Sequence, residues 1–226
     1  VLYESYAGVS ISCNPYAIYQ AIVDAPEFAD WTHVWVLNDL NRIPVDCAGR
    51  PNVVFVARDS QLYQRYLATA GWLINNSTFP SYFIRRDEQR YLNTWHGTPL
   101  KTLGKDIRSN FMEHKNTARN LLHATHVLSP NPHTSWVLME RYDIDGLYQG
   151  QLAQTGYPRN DLVINATAQQ KTGFRQKLGL QETGKPLVLY APTWRGILGH
   201  PEVDSQKLIA DLQALQQQNC QIVFRG

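Results

Sequence analysis

Residues 53–77 read VVFVARDSQLYQRYLATAGWLINNS, in which a helical pattern separates two short apolar runs. The runs Val53–Val56 and Trp72–Ile74 have the length and composition of buried strands. Between them, Asp59 is a candidate N-cap for a helix that continues to about Ala70. Because a strand, a helix and a strand in succession build a parallel sheet, this stretch predicts an α/β fold.

The same alternation continues on both sides of this stretch. Further strands are predicted at Val1–Tyr3, Val34–Leu37, Tyr91–Thr94, His126–Leu128 and Leu152–Thr155. Three helices are predicted between these strands. The first covers Tyr16–Val23, with Asn14 as N-cap and Pro15 in the first position. The second covers about residues 110–123, and the third covers residues 129–141 with Ser129 as N-cap. At residues 156–161 the turn-rich segment GYPRND follows, where Asn160 or Asp161 is a candidate cap for the next helix.

The pattern resumes after this turn, which indicates a second α/β unit. Its predicted elements are a linker helix at Lys171–Leu178, strands at Leu187–Ala191 and Gln221–Phe224, and a helix at Asp204–Gln217. We therefore divide the chain into a doubly wound domain at 1–158, a linker at 159–184 and the beginning of a second such domain at 185–226. Both termini read as interrupted elements, so we interpret the sequence as a segment of a longer protein.

Composition argues against several classes of protein. With 21 basic and 19 acidic residues among 226, the formal net charge is +2, which gives no strong basic field for nucleic acid. No apolar run is long enough to span a membrane, and no signal peptide is visible at the N-terminus. Cys13, Cys47 and Cys220 are dispersed, which argues against a disulfide framework or a zinc site and favours a reducing cytoplasm. The histidines show no metal-ligand spacing, and the glycine motifs that bind nucleotides are absent.

A loop after one predicted strand carries the residues best suited to chemistry. The segment Trp95–Lys101 follows the strand that ends near Thr94, and ligands of parallel sheets bind beyond such strand ends. His96 titrates near neutral pH and can take a proton from an attacking hydroxyl. Gly97 allows close approach of a ligand, while Thr98 and Lys101 add a hydroxyl and a positive charge. The alternative interpretation is that His96 stabilises a turn by bonding a carbonyl group.

A second loop, residues 191–196, follows the predicted strand of the second unit. Thr193 and Arg195 could meet a phosphate there, since arginine forms paired hydrogen bonds to phosphate oxygens. A surface ion pair for Arg195 is the alternative. Arg159, in the turn-rich segment, could likewise contact phosphate or form a salt bridge at a hinge.

Two further loops could line an acceptor site. Ser5 and Gly8 follow the first predicted strand, and Asn76 follows the strand that ends near Ile74. Plain turn chemistry explains these residues equally well.

Together these segments resemble a known family, the CDP-glycerol:poly(glycerophosphate) glycerophosphotransferases, which include teichoic acid polymerases and related capsule polymerases. The resemblance covers essentially the whole chain and rests on five motifs in order: Tyr3–Gly8 with Asn14-Pro15, Tyr66–Ala70 with Ile74–Ser77, Trp95–Lys101 with Gly104 and Asp106, Gly156–Asp161, and Tyr190–Arg195. Each motif alone is modestly specific, and the five in order are strongly so.

The resemblance implies a GT-B type fold of two Rossmann-like domains, the first for the acceptor and the second for a CDP-linked donor. It also implies phosphoryl transfer: an acceptor hydroxyl attacks the distal phosphorus of the donor, and CMP leaves. By matching motif, His96 is the general base. The substrate-binding residues implied are Ser5, Gly8, Asn76, Gly97, Thr98, Lys101, Asp106 and Arg159, with Thr193 and Arg195 on the donor side.

The implied partners are a CDP-alcohol donor, a poly(alcohol phosphate) or lipid-linked acceptor, and the inner face of the cell membrane, where a cytoplasmic protein would bind peripherally. No resident cofactor, metal or nucleic acid is expected. The alcohol could be glycerol, ribitol or another, the polymer a teichoic acid or a capsule, and the enzyme one that primes or one that extends the chain.

The sequence departs from the family at two places. Gly196 stands where the family usually has an acidic residue, and the family's second histidine motif would begin at about Phe224–Gly226, where this sequence stops. We therefore expect this segment to lack much of the donor site and to be inactive alone. Two alternatives stay open: a GT-B glycosyltransferase that uses a nucleotide sugar, and a non-catalytic half that binds the polymer.

Overall fold

The computed structural model describes residues 1–45, 47–107, 114–192, 195–197 and 200–225, and gives only the backbone for residues 195–197, 200 and 201. The chain divides into two compact units, Val1–Asn165 and Ala166–Gly226. The functional boundaries at 158 and 185 stay predictions, because compactness does not by itself define where donor and acceptor parts begin.

The first unit is built on a parallel sheet of seven strands in the order β3-β2-β1-β4-β5-β6-β7. The strands are β1 (Leu2–Glu4), β2 (His33–Leu37), β3 (Val53–Ala57), β4 (Trp72–Asn75), β5 (Arg90–Asn93), β6 (His126–Ser129) and β7 (Gln151–Gln154). Each neighbouring pair is parallel. The strand order reverses direction between β1 and β4, and open parallel sheets bind ligands at such a switch point. The predicted α/β class is confirmed.

Helices follow the strands along the chain. In the first unit they are α1 (Cys13–Ile22), α2 (Gln61–Thr69), α3 (Lys115–His123), α4 (Pro132–Glu140) and α5 (Pro158–Ile164). Residues 108–113 lie outside the described part of the chain, and so does the predicted start of the third helix at about residue 110.

Apolar side chains are buried on both faces of the sheet. Leu2 and Leu73 belong to one core cluster, whereas their chain neighbours Tyr3 and Ile74 belong to another. Successive strand residues point to opposite faces, so this division shows that both faces are covered. Parallel strands buried on both faces read as continuous apolar runs, which is why the sequence revealed them.

Two predicted N-caps in the first half are wrong by one or two positions. Helix α1 follows Ser12 as its cap residue, so Asn14 lies inside the first turn. Helix α2 is capped by Ser60, whose Oγ accepts a hydrogen bond from Tyr63 N at 3.1 Å. Asp59 has φ +65° and turns the chain before the cap. Two residues of capping type stand close together in each case, and the position of the adjoining strand selects between them.

The caps predicted for α4 and α5 are also wrong. Asn131 caps α4 with its side chain, whereas Ser129 is the last residue of β6. Helix α5 starts at Pro158, which places Asn160 and Asp161 inside it. Proline is favoured in the first turn of a helix because it has no N–H to leave unpaired.

The second unit contains α6 (Ala168–Lys177), β8 (Leu187–Tyr190), β9 (Arg195–Ile197), β10 (His200–Glu202), α7 (Ser205–Gln216) and β11 (Gln221–Phe224). Strands β8 and β11 pair in parallel, as expected for a βαβ unit. Strands β9 and β10 form an antiparallel pair, where the sequence predicted a loop. Strands of three residues show too little periodicity to be recognised. No helix in the described part of the chain is long and apolar enough to cross a bilayer.

Candidate active site

The loops that follow β1, β4 and β5 meet at the switch point of the sheet. Tyr6 N donates a hydrogen bond to Asn76 Oδ1 at 2.8 Å, and His96 Nδ1 lies 2.6 Å from the carbonyl oxygen of Asn76. The rings of Tyr6 and His96 are 5.7 Å apart, edge to face. The structure therefore brings together two predicted site residues, His96 and Asn76, from separate parts of the sequence.

The backbone is strained where these loops meet. Tyr6, Ala7, Cys13 and Trp95 have φ between 49° and 61°, a region that side chains other than glycine rarely occupy. They are four of the six non-glycine residues with positive φ that the described part of the chain contains. Strained residues persist only where the surrounding structure holds them, and they concentrate at functional sites.

The contacts of His96 define its tautomer. A carbonyl oxygen can only accept a hydrogen bond, so Nδ1 carries the proton that it shares with Asn76 O. The uncharged ring then keeps a lone pair on Nε2. Trp95 stacks on the imidazole with ring centres 4.7 Å apart, and Tyr6 stands on its edge. The ring is thus oriented by one hydrogen bond and two aromatic contacts.

The surroundings of His96 favour the uncharged ring. Burial is the largest influence and lowers the pKa of His96 below its usual 6.5, and the charge of Arg159 lowers it further, whereas the hydrogen bond to Asn76 acts in the opposite direction. At neutral pH the imidazole is uncharged and able to accept a proton at Nε2.

Arg159 reaches this site from α5. Its Nη1 donates to the carbonyl oxygen of His96 at 2.7 Å and to Cys13 Sγ at 3.1 Å, and its guanidinium lies 4.9 Å from the ring centre of Tyr157. Burial raises the pKa of the Cys13 thiol, but hydrogen bonds from Tyr6, Asn76 and Arg159 outweigh it and lower the pKa overall. Arg159 therefore supplies a positive charge beside the histidine.

The sequence interpretation missed three residues of this site. Tyr6 appears in the sequence only within the opening family motif, Cys13 only among the dispersed cysteines, and Asn14 was predicted to be a helix cap. Asn14 is fully buried, and its side chain bonds the strand end before His96. An asparagine directly before Pro15 fits a helix start, and its place in the first family motif gave no partner for its side chain.

Several predicted site residues have structural partners. Ser5 Oγ donates to Ser12 O at 2.8 Å, and Thr98 Oγ1 accepts from Asn131 Nδ2 at 3.4 Å. Gly8 has φ +81°, and a Cβ there would lie 2.9 Å from Asn38 Oδ1. These contacts account for each residue type by the fold itself.

The remaining predicted residues lie in different places. A Cβ on Gly97 would meet open space. Asp106 Oδ1 pairs with Arg141 Nη1 at 3.3 Å, and Lys101 is exposed. Thr193 lies outside the described residues, and the structure gives only the backbone of Arg195, in β9. In the described part of the chain no group of three or more His, Cys, Asp or Glu side chains could hold a metal ion.

Comparisons with known proteins agree with this architecture. The teichoic acid poly(glycerol phosphate) polymerase of Bacillus spizizenii is 28% identical over 97% of this chain, which spans 56% of that protein. The polymerase of the same name from Bacillus subtilis is 30% identical over 86% of this chain, which spans 26% of it.

Solved structures of the wall teichoic acid polymerase TagF match as well. One covers 99% of this chain at 25% identity with a TM-score of 0.77, and this chain covers 55% of it. A variant of TagF treated with CDPG matches at 25% identity with a TM-score of 0.80, and this chain covers 54% of it. The GT-B type fold class expected from the sequence is confirmed by this match.

The chain thus spans about half the length of the first of these relatives. The family model described as CDP-Glycerol:Poly(glycerophosphate) glycerophosphotransferase matches residues 1–224. The chain therefore belongs to the CDP-glycerol:poly(glycerophosphate) glycerophosphotransferase family.

Proposed function

We propose that the full-length protein transfers glycerol phosphate from CDP-glycerol to the hydroxyl end of a growing poly(glycerol phosphate) chain and releases CMP. The observation that carries this proposal is the oriented, uncharged His96 at the switch point of a sheet of this family. The names of the relatives, teichoic acid poly(glycerol phosphate) polymerases, and the CDPG treatment of TagF support the choice of donor and acceptor.

The proposed reaction is an in-line phosphoryl transfer. His96 Nε2 accepts the proton of the acceptor hydroxyl while that oxygen forms a bond to the phosphorus of the glycerol phosphate group. The bond from this phosphorus to the oxygen of CMP breaks, and CMP leaves with the bonding electron pair. The proton held by His96 is released to solvent afterwards, which restores the base.

Positive groups must stabilise the charge that develops on the phosphate oxygens. Arg159 lies beside His96 and is the cation of the described site that the geometry favours. Gly97 leaves space next to the base. We retain Ser5, Gly8, Asn76, Thr98, Lys101 and Asp106 as acceptor-side residues, and Thr193 and Arg195 as donor-side residues, on the family resemblance.

We further propose that the reaction uses no resident cofactor or metal, and that the protein works at the cytoplasmic face of the membrane on a lipid-linked acceptor. Support for the second point is the chemistry of the family, whose polymers usually grow on lipid carriers. Turnover that persists in excess EDTA would support a reaction without a metal. Co-sedimentation with acceptor-bearing vesicles would support action at the membrane.

The test uses the full-length protein, CDP-glycerol and a short glycerophosphate acceptor, with CMP release and product mass as readouts. Wild type should extend the acceptor in glycerol phosphate units. His96→Ala should lower kcat by about 10²- to 10⁴-fold, the usual contribution of a general base. The control, His123→Ala, removes a histidine from the end of α3 and should leave kcat close to wild type.

Other outcomes separate the alternatives. Transfer from CDP-ribitol alone would change the alcohol, and sugar transfer from a nucleotide sugar would make the protein a glycosyltransferase. Polymer binding without turnover, unaffected by His96→Ala, would indicate a binding half. Full turnover in the His96→Ala protein would show that the histidine is structural.

A further inference from the structure

Asn14 is a polar residue in an unexpected place. It lies in the first turn of α1, its side chain is fully buried, and the cap position belongs to Ser12. Asparagine is a poor residue inside a helix, and burial of its amide is costly unless every polar atom is bonded. A buried asparagine at such a position needs a specific set of partners.

The partners of Asn14 lie on two other elements. Its Nδ2 donates to the carbonyl oxygens of Thr94 at 3.3 Å and Trp95 at 3.2 Å, and its Oδ1 accepts from Arg159 N at 3.3 Å. Carbonyl oxygens only accept and a peptide N–H only donates, so these neighbours fix which end of the amide is which. One side chain thus joins α1, the end of β5 and the first turn of α5.

The bond to Trp95 falls on a strained peptide. Trp95 has φ +49°, and it directly precedes His96. Its N–H donates to Asn93 Oδ1 at 2.9 Å, and its carbonyl accepts from Asn14 Nδ2 and from Thr94 Oγ1 at 3.1 Å. Both ends of the residue are therefore held by side chains, of which Asn14 alone comes from a distant part of the sequence.

We propose that Asn14 is the positioning residue for His96, because it holds the left-handed turn at Trp95 that aims the imidazole into the site. The inference rests on the proposed function where kcat is measured, but not where the pKa of His96 is measured. Loss of the Asn14 amide frees the Trp95 carbonyl, which allows the turn to relax to an ordinary backbone conformation. The imidazole then moves relative to the Asn76 carbonyl and the Arg159 guanidinium.

Two variants test this role. Asn14→Ala removes all three hydrogen bonds. Asn14→Asp keeps the side-chain volume and the oxygen that accepts from Arg159 N, but the ionised carboxylate cannot donate to the carbonyls of Thr94 and Trp95. The control is Asn41→Ala, an exposed asparagine whose amide bonds the side chain of Asp39. In the full-length protein we expect both Asn14 variants to lower kcat by about 10- to 100-fold, the cost of a misplacement of about 1 Å. KM should change by less than about threefold, since the residue does not touch substrate.

A second readout does not depend on turnover. Diethyl pyrocarbonate modifies uncharged imidazoles, and peptide mass spectrometry reports the rate at His96 separately from that at the exposed His133. The pH dependence of that rate gives the pKa of His96. The titratable and charged groups that face its ring are Arg159, Cys13 and Tyr6. A released turn exposes the ring to water, so in Asn14→Ala the pKa of His96 should rise toward 6.5 while the modification rate at His133 is unchanged. Asn14→Asp adds a negative charge that itself raises the pKa of His96, so that variant is assessed by kcat and KM.

The outcomes separate the two proposals. If the wild-type protein does not use CDP-glycerol but the pKa of His96 is higher in Asn14→Ala than in wild type, the positioning role stands and the proposed function is removed. Wild-type kcat in Asn14→Asp, or wild-type kcat together with an unmoved His96 pKa in Asn14→Ala, would overturn the positioning role. Should Asn14→Ala fail to fold, the isosteric Asn14→Asp decides by its kcat, with KM within about threefold of wild type.

Discussion

A histidine acts as a base only where its uncharged form predominates, and the surroundings of His96 are arranged for that form. Burial removes water from the imidazolium, and Arg159 adds a like charge nearby. The hydrogen bond to Asn76 opposes both effects, but it also fixes the proton on Nδ1. The hydrogen bond to Asn76 therefore raises the pKa of His96 but also leaves Nε2 as the nitrogen that carries the lone pair.

The pH dependence of turnover tests this bias. Because the pKa of His96 is lowered, the acid limb of the kcat/KM profile should lie below pH 6.5, with activity lost as pH falls and the ring takes up a proton. Replacement of Arg159 by glutamine removes a positive charge, so the limb should move to higher pH while the plateau falls. The control is Arg65→Gln, an exposed position of α2. A limb that stays in place in Arg159→Gln would show that Arg159 does not act on His96 electrostatically.

Residue by residue, the sequence indicated His96, Asn76 and Arg159, and the family resemblance assigned them to one site without giving their contacts. His96 was recognisable because Gly97, Thr98 and Lys101 follow it and the segment matches a family motif, whereas a lone loop histidine would more simply bond a carbonyl group. The role of Asn14 was hidden because its true partners are carbonyl groups about 80 residues away, and side chains that bond backbone carry no sequence signal.

At the scale of elements, the strands were predicted well and the helix starts poorly. The seven parallel strands were recognisable as short apolar runs in the sequence, and no strand end differs from its prediction by more than one residue. N-caps depend on which of several neighbouring polar residues has extended backbone, as with Ser60 beside Asp59. That choice is made by the position at which the adjoining strand ends, which the sequence pattern gives only to within about one or two residues.

Gly104 tests how the segment after His96 is fixed, and Gly146, which lies between α4 and β7, serves as its control. Gly104 has φ +61°, and a Cβ there would overlap the carbonyl oxygen of Arg141, whereas Gly146 has φ +72° with open space around it. Gly146→Ala should cost about 1 kcal/mol of unfolding free energy, from the left-handed backbone alone. Gly104→Ala adds a backbone overlap and should cost at least about 2 kcal/mol more. Urea denaturation of both variants measures the difference, and equal costs would mean that the loop is free to move away from α4.

At the scale of the whole molecule, the order of the strands explains why the site exists. The strand order reverses between β1 and β4, where open parallel sheets form a ligand-binding crevice, and the loops after β1, β4 and β5 meet there. The sequence predicted a doubly wound domain from its alternating pattern, but strand order comes from long-range pairing such as Glu4 with Asn75. The convergence of Tyr6, Asn76 and His96 is a consequence of that order.

Beneath the same crevice, β1 ends at a buried carboxyl group. Glu4 is fully buried, and burial raises its pKa from 4.5 to about 7, against the opposing influence of Arg58. Its Oε1 lies 3.7 Å from Arg58 Nε and accepts from Asn75 Nδ2 at 3.4 Å. Such a group takes up a proton in the folded protein at a pH where the unfolded chain remains ionised.

This carboxyl group should make stability depend on pH in a defined direction. Because the folded pKa is raised, the contribution of Glu4 is fully favourable below about pH 4.5 and is lost as the pH rises through about 7. Each pKa unit corresponds to about 1.4 kcal/mol, so the free energy of unfolding should fall by about 3 kcal/mol across this window relative to Glu4→Gln. The lowered pKa of His96 acts in the opposite direction, which is why the comparison is made with the variant and not with the slope of wild type alone.

Urea denaturation at about pH 5 and about pH 8 gives the four free energies required. Glu4→Gln should match wild type at the lower pH and exceed it at the higher, while Glu27→Gln, at an exposed position, should follow wild type at both. A constant difference between wild type and Glu4→Gln would mean that Arg58 holds the carboxylate ionised throughout. In that case the end of β1 would carry a permanent ion pair beneath the site instead of a neutral acid.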